Sequence, residues 1–413
     1  VKWTLTSPDG IGDFLLRLPW LIEMEREGWQ LQLLAREPTL ETARLAGLRG
    51  QFIPLGLSPY SKNARKLRNP FRRELDLIRR FQPGMIFLGP SHPTFLEEEI
   101  VRADPGVKLA GFVLEEKFWP SESVIPAAEI ARGFDVKIPV NKEDAEPDRN
   151  RKAAEALLQR PVECPPFRFP NQPAANPAFS PGGEYLVVSP GYRQGDYFKG
   201  MGRDRWISEL RLLEKSTSAA FVFSGSALEA EANQAIRQGL IAPERHHDFS
   251  GQISDLASLL SLLSHSLGYV GKDSGTVHLA ASLGKPVVAV YGGGHWKRFL
   301  PTGTRAVAIT VIVPCRGCDW RCHLPEPVCA TGITEGSVAD GWNEVVALSG
   351  NRTILKENAP GAGAEALLKS TPQNHYPEMQ HAIRRARLAE ERALALMPWP
   401  QRLWKGLKGR CHG

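Results

Sequence analysis

The sequence predicts an α/β protein built from two Rossmann-like halves, each a parallel sheet covered by helices, followed by a basic helical tail. Three observations carry that expectation. Short apolar runs alternate with segments of helical periodicity, the signature of βαβ units and a parallel sheet. The alternation stops at a stretch holding seven prolines between Pro161 and Pro181, and it resumes beyond. After residue 350 the strand pattern does not continue. Proline fixes φ and removes a backbone donor, so the 161–181 stretch fits neither a helix nor a sheet interior and marks the domain boundary. The expected organisation is 1–170, 171–350 and a tail over 351–413.

The elements follow in order. Residues 2–7 are a β-rich run, 8–12 (Pro-Asp-Gly-Ile-Gly) a loop, and 13–26 a helix with Phe14, Leu15, Leu18, Leu21 and Ile22 at helical spacing. Residues 30–35 read as a strand, 39–47 as a helix, and 85–88 as a buried strand. Beyond the prolines come strand 185–189, helix 203–214, strand 219–224 and helix 228–239. Helix 253–263, strand 267–270, helix 277–283 and strand 286–291 follow, and 306–313 is a further buried strand. In the tail, 365–369 and 380–397 look helical. The basic segment 401–410 then carries Leu403 and Trp404 among Arg402, Lys405 and Lys408, a pattern that suits either an anionic membrane surface or packing on the protein itself.

Composition narrows the function. A chain of 413 residues with 42% hydrophobic residues can bury two or three real cores, which excludes a small disulfide-stapled scaffold. A charged fraction of 23% with 8% aromatics excludes wholesale disorder. No apolar run approaches the roughly 20 residues of a membrane-crossing helix, and the first residues lack a basic-then-apolar leader pattern. Four of the six cysteines fall between 315 and 329, which suits a local site in a reducing compartment. The expectation is a soluble cytoplasmic protein. Its net charge of +6 is uneven: residues 61–80 and 381–413 each hold eight basic and two acidic residues. Two patches on a balanced body point to anionic partners at two places, one of them the inner-membrane surface, and not to nucleic acid; solvated helix faces are the plainer alternative.

The most informative segment runs from Gly271 to Gly292. A strand ends at Gly271, a polar loop follows, and a helix opens near Gly275, so free backbone N–H groups and the helix dipole form an anion site. Gly275 permits close approach of a phosphate, and Ser274 and Thr276 offer hydroxyls. Asp273 either caps the helix or binds a sugar hydroxyl. His278, in the first turn, points toward the same mouth or is a satisfied core residue. A second constellation is Gly10-Ile-Gly12-Asp13 after the first strand, where Asp13 read alone is a helix cap. A third is the loop 189–193 with Lys199, a point charge for a phosphate or a solvated lysine.

Together these pieces resemble glycosyltransferase family 9, the bacterial heptosyltransferases of lipopolysaccharide core assembly. The run Asp-Ser-Gly-Thr-Val-His-Leu-Ala-Ala-Ser-Leu-Gly-Lys-Pro-Val-Val-Ala-Val-Tyr-Gly from Asp273 is similar to that family's signature almost position by position. Gly12-Asp13 with Leu18-Pro19, Lys199 before Trp206, Phe223-Ser-Gly225-Ser, and the cysteine segment followed by Ile333-Thr334 fall in the family's order. The resemblance covers residues 1–345. It implies the GT-B fold, two Rossmann-like domains facing across a cleft, and inverting transfer of heptose from an ADP-sugar without a catalytic metal or other cofactor. It also implies Asp13 as general base, with Gly12, Lys199 and Asp273–Thr276 at the donor and His278 nearby. The acceptor would be an anionic glycan or glycolipid, met by the 61–80 stretch. The chain departs from the family at Met201-Gly202, where Trp-Pro is usual, and at Gly292-Gly-Gly-His295-Trp296, both near the expected donor site.

The cysteines Cys315, Cys318, Cys322 and Cys329 supply enough thiolates for a structural zinc or iron, with His323 a rival ligand; one branch of the family holds iron through cysteines. Two other readings stay open: a nucleotide-sugar epimerase on the same fold, and a catalytically silent scaffold that binds a nucleotide or a membrane.

Overall fold

The computed structural model describes residues 1–60, 67, 69–114, 127–141, 143–191, 200–295, 297–318, 324, 327–360, 365 and 368. By their internal contacts they divide into two compact units. One holds Val1–Gly10 and Trp20–Cys164; the other holds Ile11–Pro19 and the described residues from Pro165 onward. The helix expected at 380–397 and the basic segment 401–410 lie outside the described residues, as does most of 61–68.

The first unit runs β1 (Lys2–Ser7), the second half of α1 (Ile11–Arg26), β2 (Gln30–Ala35), α2 (Glu37–Leu45), β3 (Gly50–Pro54), α3 (Arg72–Phe81), β4 (Met85–Leu88), α4 (Phe95–Arg102), β5 (Lys108–Leu114), α5 (Ala127–Arg132), β6 (Val136–Val140) and α6 (Glu146–Leu158). Its six strands are all parallel in the order β3-β2-β1-β4-β5-β6. One face packs on Ile78, Phe95, Leu96 and Ile100 from α3 and α4. Elsewhere Trp3, Trp20, Phe87 and Phe112 meet edge to face at 5.1–5.5 Å, a geometry that pairs ring edges with π faces. The loop between β1 and α1 is braced by Tyr60 Oη, 3.0 Å from Asp9 Oδ1, and by Arg36, which donates to the Asp9 carbonyl at 3.0 Å. α1 contains Pro19, which removes one helical hydrogen bond where the helix passes from one unit to the other.

The second unit runs β7 (Tyr185–Ser189), α7 (Arg203–Ser216), β8 (Ala220–Phe223), α8 (Ala230–Gln238), β9 (His247–Asp248), α9 (Leu256–Ser264), β10 (Gly268–Lys272), α10 (Gly275–Ser282), β11 (Val287–Val290), β12 (Ala306–Val311), α11 (Val328–Thr331), α12 (Ser337–Ala347) and β13 (Thr353–Asn358). Seven parallel strands take the order β13-β12-β11-β10-β7-β8-β9. Val188, Val270, Val288 and Ile309 from four strands pack against Trp206, Leu210, Leu213, Val338 and Trp342. Each such side chain, fully buried, contributes about 1.5–3 kcal/mol.

The structure corrects the sequence reading in one element. Residues 353–358 form the strand β13 and pair with β12, so the strand pattern does continue past residue 350. The segment Thr-Ile-Leu-Lys-Glu-Asn has no clean alternation, because an edge strand has one hydrogen-bonded neighbour and faces that are only partly covered. β3, β5 and β6 were likewise not distinguished from loop in the sequence. Between 161 and 181 the only regular element is a 3-10 turn at Pro177–Phe179.

The β8 edge is closed by a buried histidine. Phe221 N–H donates to His246 Nδ1 at 2.9 Å, so Nε2 carries the proton and donates to Glu214 Oε1 at 3.0 Å. The ring stacks on Phe221 at 4.6 Å, and Glu214 also accepts from the Ile241 and Ala242 amides. Burial holds His246 below its ordinary value of 6.5, with Glu214 offsetting only part of the effect. Below that value the unfolded chain takes up a proton that the folded one refuses, so stability falls with pH. Thermal melting from about pH 7.5 to about pH 5.5 should show a declining midpoint, and His246→Gln should flatten the decline.

Candidate functional site

In the second unit the chain leaves β7 toward β8 and β9 on one side and later fills β10 to β13 on the other. β7 and β10 are neighbours, and their connections run in opposite directions, so a crevice opens at their carboxyl ends, where open α/β sheets bind ligands. Four loops meet this end of the sheet: 189–191, 224–229, 273–276 and 291–295. Three of them carry motifs singled out from the sequence at 189–193, 223–226 and 273–278, and the fourth carries the departure at 292–296.

At the centre, β10 delivers Asp273 and Ser274 to the start of α10. The Asp273 amide donates to Val290 O at 2.9 Å and pins the loop to β11. Ser274 occupies the N-cap position in extended conformation, yet its side chain makes no cap hydrogen bond. Its Oγ lies instead 3.3 Å from Tyr269 Oη. Gly271 makes room for that phenol, which would collide with a Cβ at position 271. First-turn N–H groups that no side chain caps are available to an anion. Asp273, Ser274, Gly275 and Thr276 are partly exposed, while Lys272 before them and Val277 after them are buried.

His278 is buried, and burial drives its pKa down to about 4, so the ring is neutral at physiological pH. Its Nδ1 has no hydrogen-bond partner. The ring packs within the second unit against Gly12: a Cβ on Gly12 would lie 2.7 Å from His278 Cδ2 and 3.5 Å from Gly275 Cα. A glycine is therefore required where α1 begins. Asp13 is partly buried in the first turn of α1, which starts at Ile11, so Asp13 lies inside the helix and is not its N-cap.

The sequence reading missed three polar residues here. Lys272 Nζ lies 2.6 Å from Glu229 Oε1, with only 8% and 16% of the two side chains exposed. Glu229 Oε2 accepts from both the amide and the hydroxyl of Ser226 at 2.8 Å. Burial pushes the Glu229 carboxyl up, but the Lys272 ammonium and the Ser226 donors outweigh it and hold the group below the usual carboxylate range. Asn233, fully buried, accepts from Gly191 N–H at 2.9 Å and donates to Ser250 Oγ at 2.8 Å, tying the loops after β7 and β9 together. The Ser-x-x-Glu spacing from 226 to 229 is a capping pattern that was the available signal for Glu229; nothing local pointed to Lys272.

The remaining expected residues divide. Lys199, Cys322 and His323 lie outside the described residues. Met201 is buried in the core beside Trp206, and Gly202 takes φ +82° as the residue before α7, so this departure does local structural work. Gly293 lies beside Cys329 and Arg316, where a Cβ would make only ordinary contact, so nothing in the packing requires glycine there. Cys315 and Cys329 pack on the apolar core. Among the described residues no three His, Cys, Asp or Glu side chains gather closely enough to hold a metal ion, so the described part of the cysteine cluster is not by itself a metal centre.

Comparison with known proteins decides the class. Residues 148–324 match the model of glycosyltransferase family 9 (heptosyltransferase). These residues are a family 9 glycosyltransferase domain. The match takes in most of α6 and the second unit through the start of the cysteine segment, and it places the chain among the glycosyltransferases. No curated protein matches by sequence. Among solved structures, E. coli ADP-heptose LPS heptosyltransferase II is similar at 16% identity and TM-score 0.59, over 84% of this chain and 98% of that one. E. coli heptosyltransferase WaaC with ADP gives 15% and 0.56, over 84% and 99%. A family 9 glycosyltransferase from Veillonella parvula gives 13% and 0.62, over 84% and 98%. At these identities the likeness is one of fold, and the fold is GT-B, two parallel-sheet α/β domains. No helix among the described residues is long and apolar enough to cross a membrane.

The Gly12 contact makes a direct test of the site's packing. Gly12→Ala should destabilise the protein by about 1–3 kcal/mol through overpacking. His278→Ala in the same chain should recover part of that loss, measured as a thermodynamic cycle by thermal or denaturant melting.

Proposed function

We propose that the protein is an inverting glycosyltransferase that moves a sugar, heptose carried on ADP, to a cell-envelope glycan such as the lipopolysaccharide core. The observation that carries this reading is the uncapped start of α10 at the switch point of the second sheet. Glycosyl transfer builds negative charge on the departing diphosphate, and fixed N–H donors at a helix start stabilise that charge without a metal. Ser274, Gly275 and Thr276 would cradle the diphosphate, with Lys199 as a further countercharge. Asp273, partly exposed at the same mouth, would orient the sugar hydroxyls. Glu229 follows the second strand of this unit, the position from which a carboxylate reaches a ribose hydroxyl in Rossmann-type sites. Asp13 would take the proton from the acceptor hydroxyl, and Gly12 admits His278 beside it. The donor choice is supported by the solved relatives, E. coli ADP-heptose LPS heptosyltransferase II and E. coli WaaC with ADP.

The acceptor reading rests on charge. α3 carries Arg72, Arg73, Arg79 and Arg80 on its exposed side in the first unit, where a phosphorylated glycolipid at the cytoplasmic face of the inner membrane would meet it. Cys315, Cys318, Cys322 and Cys329 are proposed only as a structural element, and no step of the reaction needs them.

Two measurements test the reading. Thermal stabilisation by nucleotides should single out ADP and ADP-heptose over UDP and GDP sugars, because a ligand that binds the folded state raises its melting point. Asp13→Asn should lower turnover by about 10²–10⁴-fold while ADP still binds, as expected on losing a general base. Stabilisation by UDP or GDP alone would discard ADP-heptose, and unchanged turnover in the variant would remove Asp13 from the chemistry.

A further inference from the structure

A lysine at the buried end of a core strand is costly, and Lys272 demands a reason. Val270, two residues earlier and on the same face of β10, packs into the apolar core, and an aliphatic residue at 272 would extend that core. Lys272 instead stretches over the end of the intervening strand β7 to reach Glu229 beyond β8. An ammonium taken out of water is favourable only when well paired, and 2.6 Å to a carboxylate that is itself anchored supplies such a pairing. The sequence separation of 43 residues joins two of the loops that form the crevice.

The groups around Glu229 define what the lysine does. From β10 come Lys272 and the Tyr269 phenol, whose own ionisation is suppressed by burial and further by the Glu229 charge. From its own loop come the Ser226 amide and hydroxyl, and from α8 comes Asn233, which touches the same loop at Gly225. From the β7 loop comes Gly191, packed close to the Glu229 carbonyl. Among the described residues Lys272 is the cation in this set. Without it, Glu229 would keep two neutral donors in a buried setting, and burial favours the protonated acid.

We propose that Lys272 is a positioning residue for the donor nucleotide: it holds the Glu229 carboxylate ionised and aimed at the crevice, so that Glu229 can accept a hydrogen bond from a ribose hydroxyl. This rests on the donor-site reading above and adds to it a residue that touches no reacting atom. The consequence is a pH signature. In the native protein, ADP affinity is insensitive to Glu229 down to mildly acidic pH. With Lys272 removed, Glu229 takes up a proton as pH falls, and ribose recognition is lost on the acid side.

The test is titration calorimetry of ADP and of inorganic pyrophosphate against the wild type, Lys272→Met and Lys272→Arg across about pH 8 to about pH 5. Lys272→Met should lose ADP affinity by at least about tenfold over that range relative to wild type, one pH unit of protonation being a factor of ten. Pyrophosphate, which has no ribose, should keep the wild-type profile in the same variant. Lys272→Arg, which keeps the charge, should retain the wild-type ADP profile, and it supplies the decisive comparison if the methionine variant does not fold. The proposal fails if Lys272→Met follows wild type at every pH, if ADP and pyrophosphate weaken in parallel, or if Lys272→Arg shows the acid loss. A wild-type protein that binds no nucleoside diphosphate would overturn the donor-site reading itself, a result distinguishable from all of these.

Discussion

The account depends on one topological constraint. A parallel sheet whose first strand lies inside the sheet must send its connections in opposite directions from that strand, and the second unit does so between β7 and β10. The loops leaving those two strands therefore stand at the switch point of the sheet. The proposed donor-site residues of this unit sit on those loops and on the one after β8. The start of α10 projects its first-turn amides there because Ser274 turns toward Tyr269 instead of capping them. A helix start of this kind is stable in an apo protein only if water or a ligand satisfies it. The fold thus leaves an electrostatic demand at one place, and the proposed diphosphate would answer it.

Holding the loops in register requires polar groups inside the protein, and these are the costly part of the design. Asn233 binds the Gly191 amide, Ser250 and the Ser224 carbonyl from a fully buried position. Lys272 and Glu229 form a nearly dry ion pair a few residues away. Replacing such groups by apolar ones is often neutral or stabilising, so their presence is explained better by geometry than by stability. The same holds for Gly12, Gly191 and Gly271, where a Cβ would strike His278, Asn233 and Tyr269. Each glycine lets a polar or aromatic side chain approach the backbone closely at the site.

Much of this was legible in the sequence, for identifiable reasons. β1, β2, β4 and β7 were placed residue for residue because interior parallel strands are buried on both faces and read as short apolar runs. The turn into α10 was legible because Asp-Ser-Gly-Thr stands between a strand and an apolar helix, although Ser274, not Asp273, takes the N-cap position. β13 was not, since a Lys-Glu-Asn ending on an edge strand looks like the start of a tail. Lys272 was missed for a deeper reason: a lysine in sequence reads as solvated, and its partner is 43 residues away, joined to it only by the strand order. Asp13 was read at a helix cap because the Gly-Ile-Gly before it looks like loop, whereas the helix begins two residues earlier, at Ile11.

The central claim is that the carboxyl ends of β7, β8 and β10 form the nucleotide site. Backbone hydrogen exchange with and without ADP tests it directly, because exchange reports protection amide by amide. The account predicts slowed exchange at Ser274 to His278, at Ser189 to Gly191 and around Ser226, with little change elsewhere in the second unit. Unchanged exchange in those loops, or protection at the opposite ends of the same strands near residues 218–219 and 266–267, would contradict it.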